Sequence, residues 1–377
     1  MIEVKQIQSK SDIKKFVRFQ LDLYKDNPYY VPPIVKDEMS NFDRNKNQVF
    51  NNADCWMFLA YNNGKIVGRV AALVNYIEIN EQSKSKMRFG WLDMIDDIEV
   101  TRALMSQVTR IGEEKQLKYI EGPVGFSNMD KAGLLVNGYD QLGTMITWYN
   151  YPYYKEHLEK LGYHKSTDWV EYKFTPPAPM PVKFDKFADL IKRRYKLQIL
   201  EFKNIKEVLP YVDQMFELLN QTYSKLVSYV PIQQYQIDLY KEKYLPFINP
   251  DFLECVVDEE GKLVAFAITM PSFSRALQKA NGKLFPFGFI HLLQAKKKNT
   301  EAAFYLIGIH PRLQGKGVTA LMFRNITQNF INYGVTSCET NPELEDNIAV
   351  QALWKDFNPV QHKRRRIFRK DIETVSA

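Results

Sequence analysis

The sequence predicts an α/β (α+β) chain built from two tandem copies of one domain, and three observations predict it. Its 377 residues, 45% apolar and 14% aromatic, can fill a sizeable core and exceed one ordinary domain. Short motifs recur in order: Tyr229-Val230-Pro231 repeats Tyr30-Val31-Pro32, and Gly261-Lys262-Leu263-Val264 answers Gly64-Lys65-Ile66-Val67, each roughly 200 residues later. Both halves also read, by hydrophobic period, strand, helix, three strands, helix, strand, helix, strand. The expected division is a first domain over 1–175, a Pro-rich linker and connecting segment over 176–195, and a second domain over 196–377.

In the first copy Ile2–Ile7 is a strand, and Ile13, Phe16, Val17, Leu21 and Tyr24 recur at helical spacing. Trp56–Tyr61 and Ile66–Ile77 form a hairpin about Asn62-Asn63-Gly64, because Asn and Gly tolerate the positive φ of a tight turn. Phe89–Ile95 is a strand and Ile98–Gln116 a helix, with Asp96 or Asp97 as its N-cap. Tyr119–Phe126, a helix at Tyr153–Leu161 stopped by Gly162, and the strand Trp169–Phe174 complete the copy. The second copy runs Leu197–Phe202 (strand), Val208–Leu219 with Tyr223 (helix), Phe252–Val257 and Lys262–Met270 (hairpin), then the stretch that carries chemistry.

That stretch is Phe304–Phe323. An apolar strand, Phe304–Ile309, ends at Pro311, and a helical pattern begins after Gly317. Gly315 and Gly317 lack a Cβ and accept positive φ, so successive N–H groups can curl round an anion while the helix adds its unsatisfied amides. The dinucleotide and P-loop fingerprints do not fit: there are two glycines, and no Gly-Lys-Ser/Thr follows at the right spacing.

The stretch resembles the acyl-CoA loop of the GNAT superfamily of N-acyltransferases. Ile307 and Ile309 fill the strand positions, Pro311 the proline, Gln314 and Gly317 the first two loop positions, and Thr319 stands where the family has Gly or Ala. The resemblance covers nearly the whole chain. It implies two tandem GNAT-like domains, each a mixed, mostly antiparallel twisted sheet flanked by helices. It also implies acetyl-CoA or another acyl-CoA bound along Ile307, Ile309, Arg312, Leu313, Gln314, Gly315, Lys316, Gly317, Val318 and Thr319, with Asn347 matching the family's last-helix motif. That motif departs afterwards: Val350, Trp354, Asn358 and Pro359 occupy its Ala, Tyr, Gly and Phe positions. In the first copy, Asp93, Asp96, Asp97 and Glu99 stand where a pyrophosphate would lie and no glycine is present, so that copy is expected not to bind the cofactor.

Acyl transfer to an amine needs a base, a donor for the oxyanion and an acid for the thiolate. A backbone N–H of Ile307 or Ile309 can donate. Glu339 is the candidate base and Tyr305 a candidate proton donor on the same sheet; His310 is a lesser candidate. Cys338 reads as a small core residue. The expected reaction is direct attack in a ternary complex, most simply acetyl transfer to a primary amine on a small molecule or peptide.

Composition bounds the partners. The net charge of +7, from 51 basic and 44 acidic residues, suits a phosphate-bearing cofactor and does not require nucleic acid. Three scattered cysteines, Cys55, Cys255 and Cys338, argue against disulfides or a metal cluster, and no metal is expected. The N-terminus has no apolar signal region and no stretch is long enough to span a membrane, so a cytoplasmic protein without a membrane partner is expected. A homodimer stays open. The basic run His362–Lys370 reads as a final edge strand with solvated charges, Lys296-Lys297-Lys298 as a loop or helix end, and Trp148–Tyr154 as core or the lining of a cleft. Two alternatives remain: a non-catalytic CoA-binding protein, motivated by Trp354 and Thr319, and a Fem-like aminoacyltransferase using charged tRNA.

Overall fold

The computed structural model describes residues 1–127, 129–180, 182–224, 229–245 and 248–373. Through the first half run β1 (Ile2–Ile7), α1 (Lys10–Leu23), α2 (Val35–Ser40), β2 (Ala53–Asn62), β3 (Lys65–Asn75), α3 (Tyr76–Asn80), β4 (Lys86–Met94), α4 (Ile98–Glu114), β5 (Tyr119–Gly122), β6 (Leu134–Asn137), α5 (Tyr153–Lys160) and β7 (His164–Phe174). The second half adds α6 (Val182–Arg194), β8 (Gln198–Leu200), α7 (Leu209–Tyr223), α8 (Gln234–Tyr244), β9 (Leu253–Val257), β10 (Leu263–Pro271), α9 (Ser274–Ala280), α10 (Gly288–Lys297) and β11 (Glu301–Ile309). It ends with α11 (Val318–Tyr333), β12 (Ser337–Glu339), β13 (Glu343–Leu344), α12 (Ile348–Gln351) and β14 (Val360–Asp371). The architecture is mixed α/β, with mostly antiparallel strands flanked by helices.

The chain divides into two compact units. Unit 1 is Met1–Trp169, Ser274–Leu292 and Lys363–Ala377; unit 2 is Val170–Phe273 and Leu293–His362. They do not follow the linear division expected at 175 and 196. The reason is strand pairing: Phe368–Asp371, from the last strand of the chain, lies antiparallel on Gly122–Tyr119 of unit 1. In unit 2, Cys338 and Glu339 pair with Phe174 and Lys173, the end of the first half. The expected linker is also partly helical, since α6 packs on α11; Pro181 lies outside the described residues.

In unit 1, β1 to β4 are antiparallel, and β4 joins β5 in parallel. Local chemistry sets the elements. Ser9 accepts the Asp12 amide at the start of α1, Asp97 accepts the Glu99 amide at the start of α4, and Asn63 and Gly64 take φ of 49° and 76° in the β2–β3 turn. The aromatic cluster is core: Tyr154 Oη lies 2.7 Å from Tyr24 Oη, and the Asn150 amide clamps both backbone groups of Leu135. β14 is no edge strand. It is flanked by β5 and β7, Lys363 and Arg365 are buried, and Arg364 and Arg366 both bind Asp168.

In unit 2 the order is β7-β12-β11-β10-β9-β8, and β11 and β12 form its parallel pair. Helix α11 covers this sheet through Leu321, Met322, Ile326 and Phe330, against Phe304 and Trp354. Its C-terminus closes at Gly334, whose φ of 70° permits the left-handed cap.

Candidate active site

β11 pairs with β10 along most of its length but with β12 only over Glu301–Ala303. From Phe304 to Ile309 that second edge is open, and side chains reach its carbonyls: Asn341 Nδ2 donates to Tyr305 O, Tyr223 Oη to Ile307 O at 3.2 Å, and Gln314 Nε2 to Ile309 O at 3.0 Å. Because a strand residue turns its C=O and N–H to the same side, the Ile307 and Ile309 amides also face this opening.

The opening leads into the glycine loop. Residues Pro311–Leu313 make one turn of 3-10 helix, capped by His310, whose Nδ1 accepts the Arg312 amide at 3.3 Å. His310 therefore holds the turn. Gly315 and Gly317 take φ of 70° and 81°, and Gly317 is the N-cap of α11 with no side chain to satisfy the helix. The amides of Gly315, Gly317, Val318 and Thr319 have no backbone acceptor among the described residues. A Cβ on Gly315 would meet nothing within 4 Å, whereas one on Gly317 would stand 2.8 Å from the Phe187 ring. Four amides without a backbone acceptor at and just before a helix start suit an anion, so the residues fit a phosphate-bearing cofactor. Other members of the expected set have structural duties. Leu313 and Val318 are buried, Arg312 pairs with Asp258, and Lys316 sits over the Tyr195 ring. Asn347 caps α12 by accepting the Val350 amide.

Glu339 lies where β12 leaves β11, and it has company that the sequence did not suggest. His362 Nε2 stands 3.2 Å from Glu339 Oε2, and the imidazole is only 7% exposed. Ligand atoms of Glu171, Glu339 and His362 fall within 4.8 Å of one another, a grouping that could take a cation. The 3.2 Å approach is an ion-pair contact without hydrogen-bond geometry, and both His362 ring nitrogens are buried with no hydrogen-bond partner among the described residues. Tyr305 is close enough to feel the Glu339 charge, and burial, then that charge, raises its pKa so that its hydroxyl stays protonated.

A second protonated group lies beyond. Burial raises the Glu343 carboxyl to a pKa of about 8, while the Trp354 indole donates to its Oε1 at 2.6 Å. Trp354 itself is buried against Phe174, Phe304 and Phe323. Tyr223, pushed up to about 12 mainly by burial, feels the Glu343 charge and also binds Ile307 O. Glu343 and Tyr223 escaped sequence reasoning because neither sits in a motif; His362 was hidden in a basic run.

Comparisons with known proteins bear on the fold. No protein-family model matches the chain. A solved tandem GNAT protein from the clavulanic acid biosynthesis pathway superposes with a TM-score of 0.56 at 13% identity, covering 99% of each chain. The chain has the tandem GNAT fold. Among curated proteins, protein YghO of Escherichia coli (strain K12) is 24% identical over 379 residues, covering 98% of this chain and 95% of that protein. The bacterial ceramide synthase of Caulobacter vibrioides (strain NA1000 / CB15N) is 22% identical over 378 residues, covering 97% and 96%.

The first GNAT copy handles the equivalent turn differently. Asp93 is buried against Arg69, with Arg69 Nε donating at 2.7 Å and Tyr24 Oη at 2.8 Å. Asp97 satisfies the start of α4 with its own carboxylate. Where the second copy leaves amides open, the first fills the place internally. Among the described residues, no helix is long and apolar enough to cross a membrane.

Proposed function

We propose that the chain is an acyl-CoA-dependent N-acyltransferase working by direct attack in a ternary complex, with its cofactor held by unit 2 alone. The observation that carries this reading is the open edge of β11 running into four unsatisfied amides at the start of α11. The amides of Gly315, Gly317, Val318 and Thr319 would hold the pyrophosphate, with Gln314 fixing the loop to Ile309. Acyl-CoA, when bound, supplies an acyl group activated as a thioester.

The residues then divide the proton work. Glu339, paired with His362, takes the proton from the attacking amine. The Ile307 N–H, turned toward the opening, donates to the developing oxyanion. Glu343 returns a proton to the departing sulfur, in the role that Trp354 cannot fill, because its carboxyl stays protonated up to about pH 8. The Tyr305 hydroxyl is a further proton-holding group beside Glu339.

Acetyl-CoA and a small primary amine are the simplest substrates. The name of the Caulobacter relative supports a larger pair, a fatty acyl-CoA and a long-chain amino alcohol, since a ceramide is the amide of those two. The test is calorimetric titration with CoA, acetyl-CoA and palmitoyl-CoA, followed by thiol release with sphinganine, spermidine or glucosamine as acceptor. Micromolar binding and turnover with palmitoyl-CoA and sphinganine support the lipid reading; turnover with acetyl-CoA and a small amine replaces it. CoA binding without turnover selects the non-catalytic alternative favoured by Trp354, and no binding overturns the proposal.

A further inference from the structure

The connection between β10 and β11 differs sharply from its counterpart in the first copy. There, β3 and β4 are joined through the five-residue α3. Here the chain detours through α9, a loop and α10. The base of the detour is fixed: Ala276, Leu277 and Ala280 are buried, Gln278 Nε2 donates to Pro28 O and Tyr30 O, and the Val35 amide donates to Gly282 O. Its tip is not covered. Phe285 is 75% exposed, Phe287 69% and Leu293 50%, and Phe289 and Ile290 are also exposed. A soluble surface rarely concentrates large apolar side chains in this way without a partner.

Along the segment itself the charge is of one sign. From Gly261 to Thr300 the sequence holds no Asp or Glu, while Arg275, Lys279, Lys283, Lys296, Lys297 and Lys298 bracket the aromatic tip. Lys279, Lys283, Lys297 and Lys298 are exposed. Exposed apolar rings with exposed lysines beside them in sequence match a bilayer interface: the rings enter the acyl boundary and the ammonium groups meet anionic headgroups.

We propose that the exposed segment Leu284–Leu292 of unit 1, with the exposed Lys279 and Lys283 beside it in sequence, is a docking site for an anionic membrane surface, holding the protein peripherally without spanning the bilayer. This stands independently of the reaction proposed above.

The experiment is co-sedimentation of the full chain with vesicles of phosphatidylcholine alone and with vesicles in which a third of the lipid is phosphatidylglycerol. Binding is expected to the anionic vesicles, falling with added salt. Each lysine near the surface is worth about fivefold in partitioning, so Lys279→Gln and Lys283→Gln together should weaken it about twenty-fivefold. The double variant Phe285→Ser, Phe287→Ser should weaken it at least about tenfold. These side chains are exposed, so both variants should keep the wild-type circular dichroism. No binding, equal binding to neutral vesicles, or binding that neither variant changes overturns the proposal. So does a wild-type dimer in sedimentation velocity that Phe285→Ser, Phe287→Ser dissociates, which would assign the tip to a second copy.

Discussion

Replacing Trp354 with Phe tests the acid assigned to Glu343. The indole Nε1–H is a 2.6 Å donor to a largely buried carboxylate, so it stabilises the ionised form against the desolvation that raises the pKa to about 8. A hydrogen bond to a charged group contributes about 1.5–3 kcal/mol, and one pKa unit corresponds to about 1.4 kcal/mol. Losing the donor should therefore raise the Glu343 pKa by about one to two units. The half-point of the alkaline limb in thiol release should move from about 8 in the wild type toward about 9–10 in Trp354→Phe. Phe keeps the stacking on Phe174 and Phe323 but leaves a small void, costing about 1–2 kcal/mol, or several degrees in Tm. The stability sign agrees. A carboxyl with a raised folded pKa contributes stability fully present below its unfolded value near 4.5 and lost as pH rises through about 8. Glu343→Gln should remove the limb and lower kcat about a hundredfold or more. An alkaline limb that stays in place in folded Trp354→Phe refutes the assignment.

Three further outcomes test other parts of the account. Gly315→Ala should cost about 1–2 kcal/mol of left-handed strain with no clash, weakening CoA binding in calorimetry, while Gly317→Ala should be worse because its Cβ meets Phe187 at 2.8 Å. If both bind CoA as tightly as wild type, the loop does not hold the cofactor. Glu339→Gln should lower kcat by about a hundredfold to ten-thousandfold while leaving CoA affinity unchanged, and an unaffected kcat removes Glu339 as the base. Arg69→Met should destabilise unit 1 by about 3–5 kcal/mol in urea, because it strands the buried Asp93 carboxylate; a loss below about 1 kcal/mol would show that this pair carries little.

The fold was legible where local chemistry dictates it. Asn63-Gly64, the capping Asp97 and the strand–glycine–helix of Phe304–Phe323 each act through neighbouring residues, and each appears where the period and turn chemistry put it. What was not legible is long range. That Phe368–Asp371 pairs with Gly122–Tyr119, making a basic run an interior strand, depends on residues about 250 positions apart, and no local signal carries such a pairing. The site divides in the same way. The loop could be read because glycine conformation is local, whereas Glu343, Tyr223 and His362 gain their character from burial and from neighbours such as Trp354 and Glu339, which sequence order does not reveal.

The two copies supply an internal control on the meaning of the open loop. At the start of α4, Asp97 satisfies the helix with its own carboxylate, a cap that typically contributes about 1 kcal/mol. At the start of α11 the same post is held by Gly317, which offers no cap and leaves the first amides of the helix unsatisfied. At φ 81° Asp or Ser could not take this post without left-handed strain, and its Cβ would stand 2.8 Å from the Phe187 ring. The amides that glycine leaves open lack an acceptor in the empty protein and gain one when an external anion binds. A carboxylate at Gly317 would therefore not reproduce the Asp97 cap: it would add backbone strain and negative charge beside the open amides, and should weaken the binding of an anion there.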